Sequence, residues 1–192
     1  MPTPSTMLPL GTSAPAFSLP DPTTGDTVSL SDFDDKPVVL VMFISNHCPY
    51  VKHVAAELGR LGSDYGPQGV AVVAIGSNDI ENSPDDAPVN MVEFAAANGF
   101  TFPYLHDETQ EVALAYRAAC TPDFFLFDQN HRLVYRGQYD GSRPGNSVAV
   151  DGRDMRAAVD ALLAGEEISG HQVPSVGCNI KWIPGREPDY FG

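Results

Sequence analysis

Pro37-Val38-Val39-Leu40-Val41-Met42-Phe43-Ile44-Ser45-Asn46-His47-Cys48-Pro49-Tyr50-Val51-Lys52 passes from a continuous apolar run into a helical pattern, with Cys48 at the junction. The run from Val38 to Ile44 is branched and uninterrupted by polar residues, as expected of a strand buried on both faces. Beyond the junction Val51, Val54, Ala55, Leu58 and Leu61 recur at helical spacing, with Lys52, Glu57 and Arg60 expected on the opposite, solvent side. A cysteine placed there meets the unpaired first N–H groups of a helix and the positive end of its dipole, both of which favour a thiolate. The thiolate is the reactive form, so Cys48 is expected to be a solvent-reachable redox or nucleophilic centre. The competing reading is a buried, inert cysteine, because free cysteine is among the most buried residue types.

Working outward, Val70 to Ile75 is a second apolar run, and strand, helix, strand over this span makes a βαβ unit with a partly parallel sheet. Upstream, Phe17, Leu19, Val28 and Leu30 flank the turn residues Thr23-Thr24-Gly25-Asp26, which predicts a short hairpin. Downstream, Met91, Phe94 and Ala95 suggest a second helix stopped at Gly99. Asp107 and Gln110 resemble a capping box that would start a third helix running to about Ala119. Phe124 to Phe127 and Leu133 to Tyr135 flank Asp128-Gln129-Asn130, an antiparallel hairpin. Met155, Ala158, Val159, Leu162 and Leu163 form the stripe of a closing helix ended by Gly165. The expected organisation is a poorly structured arm over 1–14, one domain over 15–165, and a tail over 166–192 laid on that domain.

A chain of 192 residues is long enough for a proper core. Its net charge of −14 argues against nucleic acid and anionic membranes as partners. Residues 1–16 hold Pro2, Pro4, Pro9 and Pro15 and no basic start, and no apolar stretch is long enough to span a bilayer, so a cytoplasmic location is expected. An odd count of 3 cysteines does not suit a disulfide-stapled scaffold. The acidic loop Asp79, Glu81, Asp85 and Asp86 lacks a calcium-loop spacing and reads as solvated.

The order of elements around Cys48 resembles the thioredoxin fold, and more closely its AhpC/TSA branch of peroxiredoxins and TlpA-type thiol–disulfide proteins. Gly11-Thr12-Ser13-Ala14-Pro15-Ala16-Phe17-Ser18-Leu19-Pro20-Asp21 and Val28-Ser29-Leu30-Ser31-Asp32-Phe33 resemble the opening segment of that branch. The resemblance implies an α/β three-layer sandwich with an N-terminal hairpin and a C-terminal extension. It aligns Cys48 with the first cysteine of a Cys-x-x-Cys motif, Lys52 with the basic residue that follows, and Thr121-Pro122 with a cis-proline loop facing the sulfur. Main-chain groups beside Pro122 would then align a substrate strand, and Pro49 would open the helix. Two departures stand out. Val51 replaces the second cysteine of the motif. Ser45 replaces the threonine of the peroxiredoxin signature, and Pro122 occupies the position where that signature has an arginine.

The function expected is a thiol–disulfide oxidoreductase working through a mixed disulfide on Cys48, with protein or small-molecule thiols and disulfides as partners and no bound cofactor. His47, Lys52 and His53 are candidates for positive potential beside the sulfur, or else ordinary surface residues. Cys120 is either a second thiol facing Cys48 or a small buried residue at a helix end. Cys178 could reach the site from the tail, but the plainer reading, which the sequence favours, is that Gly177 and Ile180 pack the tail down. Trp182 is expected to anchor it. The alternatives are an antioxidant peroxidase in which Cys48 is oxidised by peroxide, and a non-catalytic metal carrier or redox-sensing adaptor.

Overall fold

The computed structural model describes residues 2–191. Its strands and helices are β1 (Thr3–Pro4), β2 (Ser18–Pro20), β3 (Thr27–Ser29), β4 (Val38–Phe43), α1 (Pro49–Tyr65), β5 (Val70–Gly76), α2 (Pro88–Ala97), β6 (Tyr104–His106), α3 (Glu111–Tyr116), β7 (Cys120–Thr121), β8 (Asp123–Asp128), β9 (Leu133–Tyr135), α4 (Arg153–Leu163) and β10 (Val176–Asn179).

The central sheet has the order β6-β5-β4-β8-β9, with β4 parallel to β5 and antiparallel to β8. Every residue of β4 is buried because both faces of the strand are covered. Leu40 and Met42 face Val51, Leu58 and Leu61 of α1 and Met155 and Val159 of α4. Val39, Val41 and Phe43 face α3, the Phe17 and Leu30 hairpin, and Ile180 and Trp182 of the tail. The result is the expected three-layer α/β sandwich. Tyr116 fills the second layer, its ring 5.4 Å from Phe43 and 5.6 Å from Phe125. The hairpin β2–β3 pairs Leu19 with Val28, and β8–β9 turns at the expected residues.

Three expectations are corrected. Within the segment 1–14 the described residues, from 2 on, are ordered: β1 pairs with β10, Ser5 N donates to Ser175 O at 2.8 Å, and Leu8 joins the core. Arm, tail and the strand before Pro122 thus build one small sheet, β1-β10-β7. The third helix stops at Tyr116, short of Ala119. Arg117 enters the left-handed region at φ 52°, and the Ala119 N–H turns away to Asp123 Oδ2 at 3.1 Å. Asp107 caps this helix through the Ala113 N–H at 2.9 Å, while Gln110 reaches back to Ser77 O and Lys181 O and so ties down the tail. Glu57, expected in solvent, is buried, because α4 brings Arg156 over it at 2.7 Å. No helix among the described residues is long and apolar enough to cross a membrane.

Candidate active site

Cys48 caps α1 in extended conformation (φ −65°, ψ 122°), with Pro49 at the first helical position, where no N–H acceptor is lost. Its carbonyl accepts the Lys52 N–H at 2.9 Å. The side chain turns inward: Sγ donates to the Thr121 carbonyl at 3.1 Å and is 0% exposed. The expected solvent-reachable sulfur is therefore corrected. Cys48 is sealed between the Thr121-Pro122 loop, whose peptide bond is cis as the resemblance implied, and strand β10 of the tail.

Strand β10 lies antiparallel on β7, with Cys178 opposite Thr121 and Asn179 opposite Cys120. This register sets Cys178 beside Thr121, the residue whose carbonyl accepts the Cys48 thiol. Cys178 packs against the core cluster that contains Cys48, near enough for the two thiols to influence one another. Burial pushes the Cys178 thiol up, and the neighbouring Cys48 sulfur pushes it further, so Cys178 holds its proton tightly. The packing role favoured for Cys178 is thus incomplete, since the tail delivers its thiol to Cys48. Cys120 turns instead to the Pro122 carbonyl at 3.6 Å, and burial, then the Asp123 charge, hold its thiol well up. All three cysteines are free.

The candidate cations divide. His47 is bound to Asp86, its Nδ1 2.8 Å from Oδ2, rather than to the sulfur. Lys52 is exposed on the first turn of α1. His53 is half-buried, and its Nε2 has no partner among the described residues. It lines a cavity of about 20 Å³ with Tyr50, Pro122, Tyr139, Arg143 and Val176, which is room for one water.

Asp86, like Asp79, is a member of the acidic loop expected in solvent and is instead buried. It accepts from Ser45 Oγ at 3.0 Å, the Asn46 N–H at 2.6 Å and Asn78 Nδ2 at 2.6 Å, besides His47. Asn78 Oδ1 in turn accepts the Lys181 N–H at 2.8 Å. One carboxylate thus joins the loop before Cys48, the acidic loop and the tail. Its partners Ser45, Asn46 and His47 are about forty residues away, and no local pattern marks them. Ser45, at the peroxiredoxin threonine position, spends its hydroxyl here. Among the described residues no three His, Cys, Asp or Glu groups are placed to hold a metal ion, so His47, Cys48 and His53 do not form the carrier site considered from sequence.

The arrangement offers two free thiols, Cys48 and Cys178, on the two sides of the Thr121-Pro122 loop. The Redoxin family matches residues 9–151. A crystal structure of an uncharacterized conserved protein from Geobacillus kaustophilus is 53% identical, with a TM-score of 0.94, covering 96% of this chain and 98% of that one. A Mycobacterium tuberculosis protein named "Putative peroxiredoxin" is 34% identical over 116 residues, 60% of this chain and 68% of its own. The thiol–disulfide oxidoreductase ResA of Geobacillus thermodenitrificans is 29% identical over 131 residues, 68% of this chain and 70% of its own. With the family matched across most of the sandwich, including Cys48 and the Thr121-Pro122 loop, the chain belongs to the Redoxin family.

Proposed function

We propose that the protein is a thiol–disulfide oxidoreductase whose redox pair is Cys48 and Cys178, closed across β10 rather than along α1. The observation that carries this is that β10 places Cys178 opposite Thr121, whose carbonyl holds the Cys48 thiol at the N-terminus of a 17-residue helix. Negative charge developing on Cys48 lies at the positive end of α1, while Cys178 holds the proton next to it. In the forward direction the Cys48 thiolate attacks a disulfide, forms a mixed disulfide and releases the first thiol. Cys178 then gives up its proton, attacks the Cys48 sulfur and expels the second thiol, leaving Cys48–Cys178 oxidised. An external thiol returns the pair to the dithiol, and a reducing compartment such as the cytoplasm suits that step.

Val51 leaves α1 without its usual second cysteine, and Cys178 fills that chemical role from the tail. The test is peptide mapping after mild oxidation. A Cys48–Cys178 bond, with Cys178→Ser trapping a mixed disulfide on Cys48, supports the proposal; a Cys48–Cys120 bond overturns it. The name of the mycobacterial relative favours a second reading, thiol peroxidase. Against it, the Ser45 hydroxyl is held by Asp86 instead of facing the sulfur. Peroxide consumption abolished by Cys48→Ser would decide for the peroxidase.

A further inference from the structure

Strand β10 occupies the backbone edge at which a polypeptide could be paired beside Cys48. β7 ladders with Cys178 and Asn179, the Ile180 N–H donates to Ala119 O at 3.2 Å, and Ser175 Oγ donates to Pro122 O at 2.7 Å. β1 closes the outer side of β10. The fit is tight: a Cβ at Gly177 would overlap the Thr121 carbonyl. An extended peptide binds a sheet by adding to a free edge, and here that edge is filled by the chain itself. The filling strand also carries a cysteine that packs against the Cys48 cluster, so it takes up the edge that the resemblance would give to a substrate strand.

We propose that β10 is a built-in substrate strand that restricts the site to low-molecular-weight disulfides and excludes protein disulfides. This rests on the Cys48 and Cys178 reading above. The pair meets solvent through half-buried Cys178, with fully covered Cys48 behind it. A small disulfide RS–SR needs only side-chain displacement to come alongside the sulfurs. A protein disulfide carries flanking backbone that must first displace β10, breaking its bonds to β1, Ala119, Pro122 and β7 together. The chemistry balances in either case. The Cys48 thiolate displaces one RS⁻ and Cys178 displaces the other. The two thiolates take up protons as two RSH, and two electrons leave the protein as its disulfide forms.

The test compares kcat/KM for bis(2-hydroxyethyl) disulfide and for the disulfides of insulin, with dithiothreitol as the electron donor and the uncatalysed rate subtracted. The wild-type protein should prefer the small disulfide by about tenfold or more, a scale that steric selection commonly reaches. Gly177→Val should shrink that preference by gaining activity on insulin, and Ser175→Ala, a milder loosening of the same strand, should shrink it in the same direction. Wild-type activity on insulin equal to that on the small disulfide, with the Cys48–Cys178 bond still forming, overturns this inference alone. So does an unchanged preference in folded Ser175→Ala and Gly177→Val. Inactivity toward both disulfides with no Cys48–Cys178 bond overturns the functional reading and this inference with it.

Discussion

Gly177 lies against Thr121 so closely that its missing side chain is part of the site, because a methyl group there would collide with the carbonyl that accepts the Cys48 thiol. Gly177→Ala forces β10 away from β7, and overpacking of this kind costs about 1–3 kcal/mol. Cys48 loses its cover at the same time. Iodoacetamide should therefore modify Cys48 about tenfold faster than in the wild-type protein, as expected once a sealed thiol gains access. Equal rates in a folded variant would show that β10 does not shield the sulfur.

Asp86 supports the loop that precedes Cys48. Asp86→Ala leaves the Asn46 N–H, the Ser45 hydroxyl and the Asn78 amide without their acceptor. Each buried donor left unpaired costs about 1–3 kcal/mol, so urea unfolding should show a loss of about 3 kcal/mol or more. Asp86→Asn keeps one acceptor oxygen and should recover part of it. The loss of turnover should fall on kcat rather than KM, because the loop places the sulfur and does not bind substrate. A rise in KM alone would place Asp86 outside this role.

The path from Val38 to Leu61 was legible because burial on both faces and a helical stripe each leave a local signature, and those two elements fix where Cys48 sits. The cis bond before Pro122 was legible only through family resemblance, since the dipeptide itself says little. Strand β10 was invisible for a physical reason. It is four residues long, has no alternation, and exists only because Thr3 and Thr121, both far away in sequence, pair with it. Asp86 was misread for the same reason, since a buried acceptor and a solvated acid look alike until distant donors are placed. Glu57 reads from spacing and charge as a solvent-side residue of α1, and its burial depends on Arg156 of α4, ninety-nine residues away.

Glu57 is the charged group most deeply set in α1, held by Arg156 and Arg60. Removing one partner of a buried pair leaves the rest uncompensated. Arg156 keeps Asp64 at 2.9 Å and is partly solvated, so Glu57→Ala should cost about 2–3 kcal/mol, below the full buried-pair penalty. Glu57→Gln should cost less, because its amide oxygen still accepts from Arg156. Chemical denaturation of both variants checks the order, and a reversed order would show that charge is not what this site requires.

Asp123 makes stability depend on pH. Burial raises its carboxyl from 3.8 to about 7, with the Ala119 N–H offsetting part of the shift. The folded protein therefore holds this proton up to about pH 7, whereas the unfolded chain releases it near 4. Between those values the fold binds more protons, so its contribution to stability is present at low pH and is lost as pH rises from about 4 to about 7, by roughly 4 kcal/mol at most. Asp123→Asn cannot ionise and should gain on the wild-type protein across that window, with the difference levelling off above it. Ionised Asp123 also opposes charge on Cys120, so alkylation of Cys120 should be faster in Asp123→Asn at pH 8 than in the wild-type protein. Parallel stability curves for the two proteins from pH 4 to pH 8 would show instead that the Asp123 carboxyl keeps its ordinary affinity for protons inside the fold.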